Sequence, residues 1–273
     1  MKFGVCGGDR AAVRLCGLLA EDGHQVRALA LDRARLPGGV LSVGCPEGCF
    51  RGADAVILPM PPVTEDGLLY APLCGRRYEI SDILEKIPPG AVICAGGREA
   101  LPEEVYIEDY GASPKFAVGA AVAAAEGAIE LAMGATERTM AGRTALVVGF
   151  EALGQVLSAR LRGLGAEVTV CARREGELAM ARAFGYGAEP FRELGKAVRC
   201  AEIILNTLDE PLNAPNIIEK IPADSVFVEL SAPQDDEGGR RVPGAMLPGR
   251  AAPLSMAELM REGIYGILQE WEL

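Results

Sequence analysis

At 273 residues the chain is too long for a typical single domain and suits two domains of roughly 100–150 residues each. Hydrophobic residues at 49% and charged residues at 24% give a globular composition and exclude wholesale disorder. A net charge of -11, from 38 acidic against 27 basic residues, excludes a general nucleic-acid surface, which needs clustered positive charge.

The chain opens on Met1-Lys2-Phe3-Gly4-Val5-Cys6. This reads as a short strand over 2–6 and lacks the apolar stretch of a signal peptide. Uninterrupted apolar runs elsewhere fall short of the ~20 residues of a membrane span, so a soluble, cytoplasmic protein with no membrane partner is expected. Gly7-Gly8-Asp9 follows as a tight turn, then a helix whose apolar face is Ala12, Val13, Leu15, Cys16, Leu18 and Leu19. Gly23 ends it, and Val26–Leu31 is the next strand. Ala53–Leu58 is predicted as a third strand, followed by a loop over Pro59–Gly67. Residues 80–87 read as a helix, and 91–95 as a strand ending at Gly96-Gly97.

The second half repeats this grammar. Thr144–Val148 is a strand closed by Gly149, Leu153–Leu164 a helix, Glu167–Cys171 a strand, and 175–185 a helix. Ala201–Leu205 and Ser225–Leu230 are two later strands. Alternating strands and helices with short glycine turns predict parallel sheets covered on both faces, with ligands beyond the carboxyl ends of the strands. Two longer helices carry apolar residues at helical spacing. One runs through Val118, Ala121, Val122, Ala125, Ile129, Ala132 and Met133, and the other through Met256, Leu259, Met260, Ile264, Ile267, Leu268 and Trp271.

The expected fold class is therefore α/β, with two doubly wound parallel-sheet domains bridged by these helices. Residues 1–117 would form a flavodoxin-like domain completed by a C-terminal helix at 255–273. Residues 118–138 would be the linking helix, and 139–254 a Rossmann nucleotide-binding domain.

Cys6, Cys94 and Cys171 sit in or at the end of apolar strands and read as buried thiols. Cys45 and Cys49 lack metal-ligand spacing, and no metal site is expected. The only histidine, His24, reads as part of a surface turn, so histidine-based catalysis is not expected.

Four places could carry chemistry. The turn Gly149-Phe150-Glu151-Ala152-Leu153-Gly154 matches G-x-G-x-x-G at its first and third glycines. Its second glycine is replaced by Glu151, which puts a side chain and a negative charge where a pyrophosphate would approach. An intact dinucleotide site and a degenerate one both remain open. Next, the second strand ends in Arg173 and Arg174, where NAD-binding units carry an acid for the ribose. Two arginines suit a 2′-phosphate, hence NADP; solvated surface arginines are the alternative. Third, Glu126, beside Gly127, shares the helical stripe of Val122 and Ile129; it is either a cleft carboxylate or a structural hydrogen-bond partner. Finally, Asn206 and Thr207 follow one strand, and Thr64, Asp66 and Gly67 lie in the loop after another, all of them also ordinary turn residues. No catalytic residue is assigned.

In order and spacing, these motifs resemble the dipicolinate synthase A family. The resemblance rests on Gly7-Gly8-Asp9-Arg10, Ile57-Leu58-Pro59, Asp66-Gly67, Glu126-Gly127, Gly149 and Gly154. It continues through Ala172-Arg173, Ile204-Leu205-Asn206-Thr207, Leu247-Pro248-Gly249 and Ala252-Pro253. It implies a sporulation enzyme with a two-domain fold like that of the hydroxyacid dehydrogenases. Such a protein would pass hydride from a dihydropyridine dicarboxylate to NADP, and aromatisation would drive the step without a catalytic histidine. The implied partners are a small dicarboxylate and the flavoprotein-like dipicolinate synthase B; a homo-oligomer is compatible.

The chain also departs from the family pattern. Glu151 and Ala152 stand for the second glycine and the Arg that usually follows it. Ala123-Ala124 replace Pro-Thr, Glu229–Asp235 replaces a segment ending Pro-Gly-Gly, and Ser255-Met256-Ala257 replace Thr-Ala-Gly. These changes concentrate where the cofactor belongs. They leave a second reading: a non-catalytic paralogue with a degenerate nucleotide site that binds a small molecule or a partner protein.

Overall fold

A computed structural model of the chain describes residues 1–230, 241–243 and 247–272. They divide into two compact units, one of residues 1–119 with 252–273 and one of 120–251.

The first unit begins with strand β1 (Lys2–Cys6), helix α1 (Arg10–Glu21), β2 (Gln25–Leu29), β3 (Val40–Val43), α2 (Pro46–Phe50) and β4 (Ala55–Ile57). It continues with α3 (Ile80–Glu85), β5 (Val92–Ala95) and β6 (Glu108–Asp109). All pairings are parallel, in the order β3-β2-β1-β4-β5-β6. Phe3, Val5, Val56 and Ile57 are buried because helices and loops cover both faces of a parallel sheet. This corrects the flavodoxin-like expectation, whose strand order is 2-1-3-4-5. The difference lies in β3, an edge strand with Leu41 exposed and no alternation for a periodicity argument to find. Without β3 the order would read 2-1-3-4-5, the flavodoxin-like one; with it, the sheet has the 3-2-1-4-5-6 order of a Rossmann fold.

Asp9 caps α1, its carboxylate accepting from Ala11 N at 2.8 Å. The turn before it is closed over. Gly8 N donates to Tyr70 O at 2.7 Å, and a Cβ on Gly8 would lie 2.6 Å from that of Ala12, at a φ of +98°. The backbone donor that a dinucleotide would need is already used by the protein's own loop.

Helix α4 (Pro114–Gly134) contains the boundary between the units. Its buried side is built from small residues, Ala121, Ala124, Ala125, Ala128 and Ala132, together with Ile129. Ala121, Ala125, Ile129 and Ala132 of the predicted stripe are buried, whereas Val118 and Met133 are exposed, and Glu126 and Glu130 lie on the solvent side. Among the described residues α4 is the helix long and apolar enough to cross a membrane by length and composition, and half of it is buried in the protein.

The second unit adds β7 (Thr144–Val148), α5 (Ala152–Gly163), β8 (Glu167–Ala172), α6 (Glu175–Ala183), β9 (Gly187–Pro190) and α7 (Leu194–Ala197). Then come β10 (Ile203–Asn206), α8 (Pro215–Ile218), β11 (Val226–Glu229), β12 (Arg241–Pro243) and α9 (Leu247–Ala251). Its sheet is also parallel, in the order β12-β11-β10-β7-β8-β9. Counted from its own first strand, this is again the 3-2-1-4-5-6 order. Of the departure at Glu229–Asp235, residues 231–235 lie outside the described residues.

The last helix, α10 (Pro253–Glu270), belongs to the first unit and packs on α1 through Met256, Ala257, Met260, Ile264 and Leu268. Its polar side holds the α1–β2 turn. Tyr265 Oη donates to Asp22 Oδ2 at 2.7 Å and lies 3.0 Å from His24 Nε2. His24 is therefore part of an anchor against Tyr265 and Phe3, rather than a solvated turn residue.

Candidate functional site

Strand β7 and helix α5 meet at Gly149–Gly154, beside the point where the sheet order reverses between β7 and β10. Two glycines are required here. Gly149 has a φ of +95°, and a Cβ on it would lie 2.6 Å from Thr207 Oγ1. A Cβ on Gly154 would lie 2.3 Å from Gly149 O, so the helix can start this close only without a side chain there. Glu151 is the N-cap residue of α5 but makes no side-chain cap bond, so the first-turn amides keep no carboxylate of their own.

A cleft of about 460 Å³ lies in front of this turn. It is lined by residues 149–151, 171–174 and 207–210, with Glu177 and Phe191. The two predicted arginines are both in it, and both are paired. Arg173 forms an ion pair with Glu210 and stacks over Phe191, 4.6 Å from the ring centre. Arg174 donates to Glu151 and to Glu177, each at 2.6 Å. The Glu177 and Glu151 carboxylates hold the Arg174 guanidinium above its usual range. With Glu151, Glu177, Asp209 and Glu210 against Arg173 and Arg174, carboxylates outnumber guanidinium groups around the cleft.

The other predicted residues have structural roles. Phe150 is buried, its ring 6.0 Å from that of Tyr186. Ala152 and Leu153 open α5, and Leu153 packs against the core. Thr207 Oγ1 donates to Val148 O at 2.8 Å. Asn206 is fully enclosed and does not line the cleft. Its side-chain amide donates to Glu210 O at 2.9 Å and Glu229 Oε1 at 2.6 Å, which positions the segment carrying Thr207–Glu210.

Glu126 is exposed and accepts from Arg160 Nη2 at 2.9 Å, so the apolar-stripe reading is corrected to a surface ion pair. In the first unit Thr64, Asp66 and Gly67 form the turn of a small hairpin. Gly67 N donates to Thr64 O at 3.0 Å, and Thr64 Oγ1 to Leu68 O at 3.3 Å.

Sequence reasoning missed Glu177, Phe191, Leu208, Asp209 and Glu210. Glu177 carries a local signal, since it stands three residues after the cap residue Arg174 and reaches back to it. Glu210 carries none, because its partner is 37 residues away.

The cysteines are all free, with Cys45 and Cys200 exposed and the other six buried. Burial pushes the Cys16, Cys49, Cys94 and Cys171 thiols up to about 12. Among the described residues no three His, Cys, Asp or Glu side chains converge to hold a metal.

Comparison with known proteins places this architecture. Residues 2–105 match the family described as the N-terminal domain of dipicolinate synthase A. The chain is 23% identical to dipicolinate synthase A of Bacillus subtilis, over 99% of this chain and 96% of that protein. The structure of dipicolinate synthase A from Bacillus halodurans is similar at 20% identity and a TM-score of 0.83, covering 98% of this chain and 97% of that one. An L-alanine dehydrogenase shares the fold at 14% identity and a TM-score of 0.63, covering 98% and 89%. Residues 2–105 thus match the N-terminal domain of dipicolinate synthase A, and the chain as a whole is similar to dipicolinate synthase A in sequence and in fold.

Proposed function

We propose that the chain is an oxidoreductase of the dipicolinate synthase A type, taking a nicotinamide dinucleotide in the cleft of its second unit. The observation that carries this reading is the approach of α5 to the β7 turn, where Gly154 stands against Gly149 O at the sheet's reversal point. The first-turn amides of α5 would hold the pyrophosphate, and Arg173 the 2′-phosphate of NADP. When bound, the nicotinamide would accept a hydride from a dihydropyridine dicarboxylate. The protein's part is to fix the dinucleotide and exclude competing geometries.

The fit is partial. Glu151 is turned toward Arg174, so it gates the phosphate position rather than filling it. Binding requires both ion pairs to give way, and weak affinity follows. This supports the second reading, a relative that keeps the fold and has lost the reaction. Thr64, Asp66 and Gly67 remain our proposed substrate contacts in the first unit, and Glu126, paired with Arg160 on the surface, is withdrawn from them. A flavoprotein-like partner protein, a cytoplasmic location and an NADP preference belong to the same proposal. Calorimetric titration of the whole chain with NADPH and NADH at one salt concentration tests it. Saturable binding of either supports the dinucleotide site; no binding, in the unmodified chain and in Glu151→Gly alike, overturns it in favour of the second reading.

A further inference from the structure

The first unit contains a second groove, of about 440 Å³, built from Arg10, Val13 and Arg14 of α1, residues 34–37 after β2, and Leu73. Three guanidinium groups, those of Arg10, Arg14 and Arg35, line this one groove. Arg143, Arg160, Arg173, Arg174 and Arg261 each have a carboxylate partner. Arg10, Arg14 and Arg35 form no ion pair with any described residue, in a chain of net charge -11. The local carboxylates are occupied. Asp9 caps α1, and Asp32 accepts from Gly75 N at 3.1 Å.

The placement of Arg10 and Arg14 works against the helix. They stand four apart on one face, where like charges repel. They also lie near the N-terminus of α1, the positive end of its dipole, and the first turn holds no acidic residue. An anion in the groove would relieve both costs. The walls are fixed: Pro37 packs against Gly17 of α1, and Arg33 N donates to Leu73 O at 2.9 Å. Val13, Leu36, Pro37 and Leu73 supply apolar surface beside the guanidinium groups. In the sheet order of this unit, the segment after β2 occupies the place that Arg173 and Arg174 hold after β8 in the other. There the arginines are neutralised from within; here they are not.

We propose that this groove is a binding site for a small polyanion, with two or more carboxylate or phosphate groups on a compact apolar body. Guanidinium forks pair such oxyanions bidentately. The site does not depend on dinucleotide binding by the other unit.

Calorimetry of the whole chain with two separate probes, inorganic pyrophosphate and pyridine-2,6-dicarboxylate, tests the proposal and distinguishes phosphate from carboxylate ligands. At least one should bind with a Kd below about 1 mM. The double variant Arg14→Gln/Arg35→Gln should weaken that binding at least tenfold, and Arg35→Gln alone at least threefold, while Arg199→Gln leaves it unchanged. Arg35→Gln carries the test if the double variant does not fold. Absence of binding by both probes overturns the proposal. So does equal weakening by Arg199→Gln, which would mark nonspecific attraction, or loss confined to Arg173→Gln, which would put the probe in the other unit.

Discussion

The guanidinium of Arg174 and the carboxylate of Glu151 meet at 2.6 Å across the front of the β7–α5 turn. The residue that opposes a pyrophosphate and the residue expected to attract a phosphate thus neutralise each other. Replacing Glu151 by Gly removes the charge and the side chain and also releases Arg174. NADPH affinity should rise at least tenfold, about 1.4 kcal/mol, in a calorimetric titration at fixed salt. Glu151→Gln should recover only part of it, because the side chain remains. Unchanged affinity in both would show that the turn accepts a glutamate without cost.

Arg173 is held by Glu210, so the preference for a 2′-phosphate that we propose for it would be masked. Glu210→Gln should raise the ratio of NADPH to NADH affinity several-fold, whereas Arg173→Asp should abolish or invert it. Parallel titrations with the two cofactors measure this directly. Equal ratios in all three proteins would remove Arg173 from the site.

Gly154→Ala should disturb the turn, since the new Cβ would meet Gly149 O at 2.3 Å and backbone cannot yield as a flexible side chain can. Overpacking of this kind typically costs about 1–3 kcal/mol. A denaturant melt should show a lower midpoint with an unchanged slope. An unaltered midpoint would mean that α5 shifts freely from the turn.

Burial first, and then the amino group of Met1, hold His24 below its usual value of 6.5. The unfolded chain then binds more protons than the folded one as pH falls through 6.5. Stability from this group is complete above that pH and declines below it, down to the folded value. Tyr265, Asp22 and Arg261 face the same turn, and the Asp22 carboxylate works in the opposite direction on His24. Denaturant melts between pH 7.5 and about 5 should lose stability more steeply in the unmodified chain than in His24→Gln. Identical slopes would mean that His24 does not titrate differently on folding.

Thiol labelling of the folded chain at neutral pH should modify Cys45 and Cys200 only. The buried thiols lack access, and burial raises Cys16, Cys49, Cys94 and Cys171 to about 12. Mass analysis of the modified peptides reads the outcome. Rapid labelling of Cys94 or Cys171 would reveal opening of a sheet.

Long periodic elements were legible in the sequence. β1, α1, β7, α5 and β8 appear within two residues of expectation because their apolar runs and glycine boundaries are local. The short edge strands β3, β6 and β9 were not, since they bury little and owe their existence to a neighbour's free hydrogen-bonding edge. The same distinction runs through the cleft. Gly149, Gly154, Arg173 and Arg174 could be placed from the turn motif and strand end. The glutamates that silence the arginines could not, because residues 23 and 37 positions apart meet only in the folded sheet. On α4 the predicted stripe held at Ala121, Ala125, Ile129 and Ala132 but not at its ends, Val118 and Met133, and Glu126 stands in solvent.

Helix α10 covers α1 but lies after the whole second unit in the chain. On a ribosome adding about 5–20 residues per second, the roughly 130 residues of that unit take on the order of ten seconds to emerge. Throughout that interval α1 lacks the partner helix that completes its unit. The part made first is therefore finished last, and chaperone engagement during synthesis should centre on the uncovered face of α1.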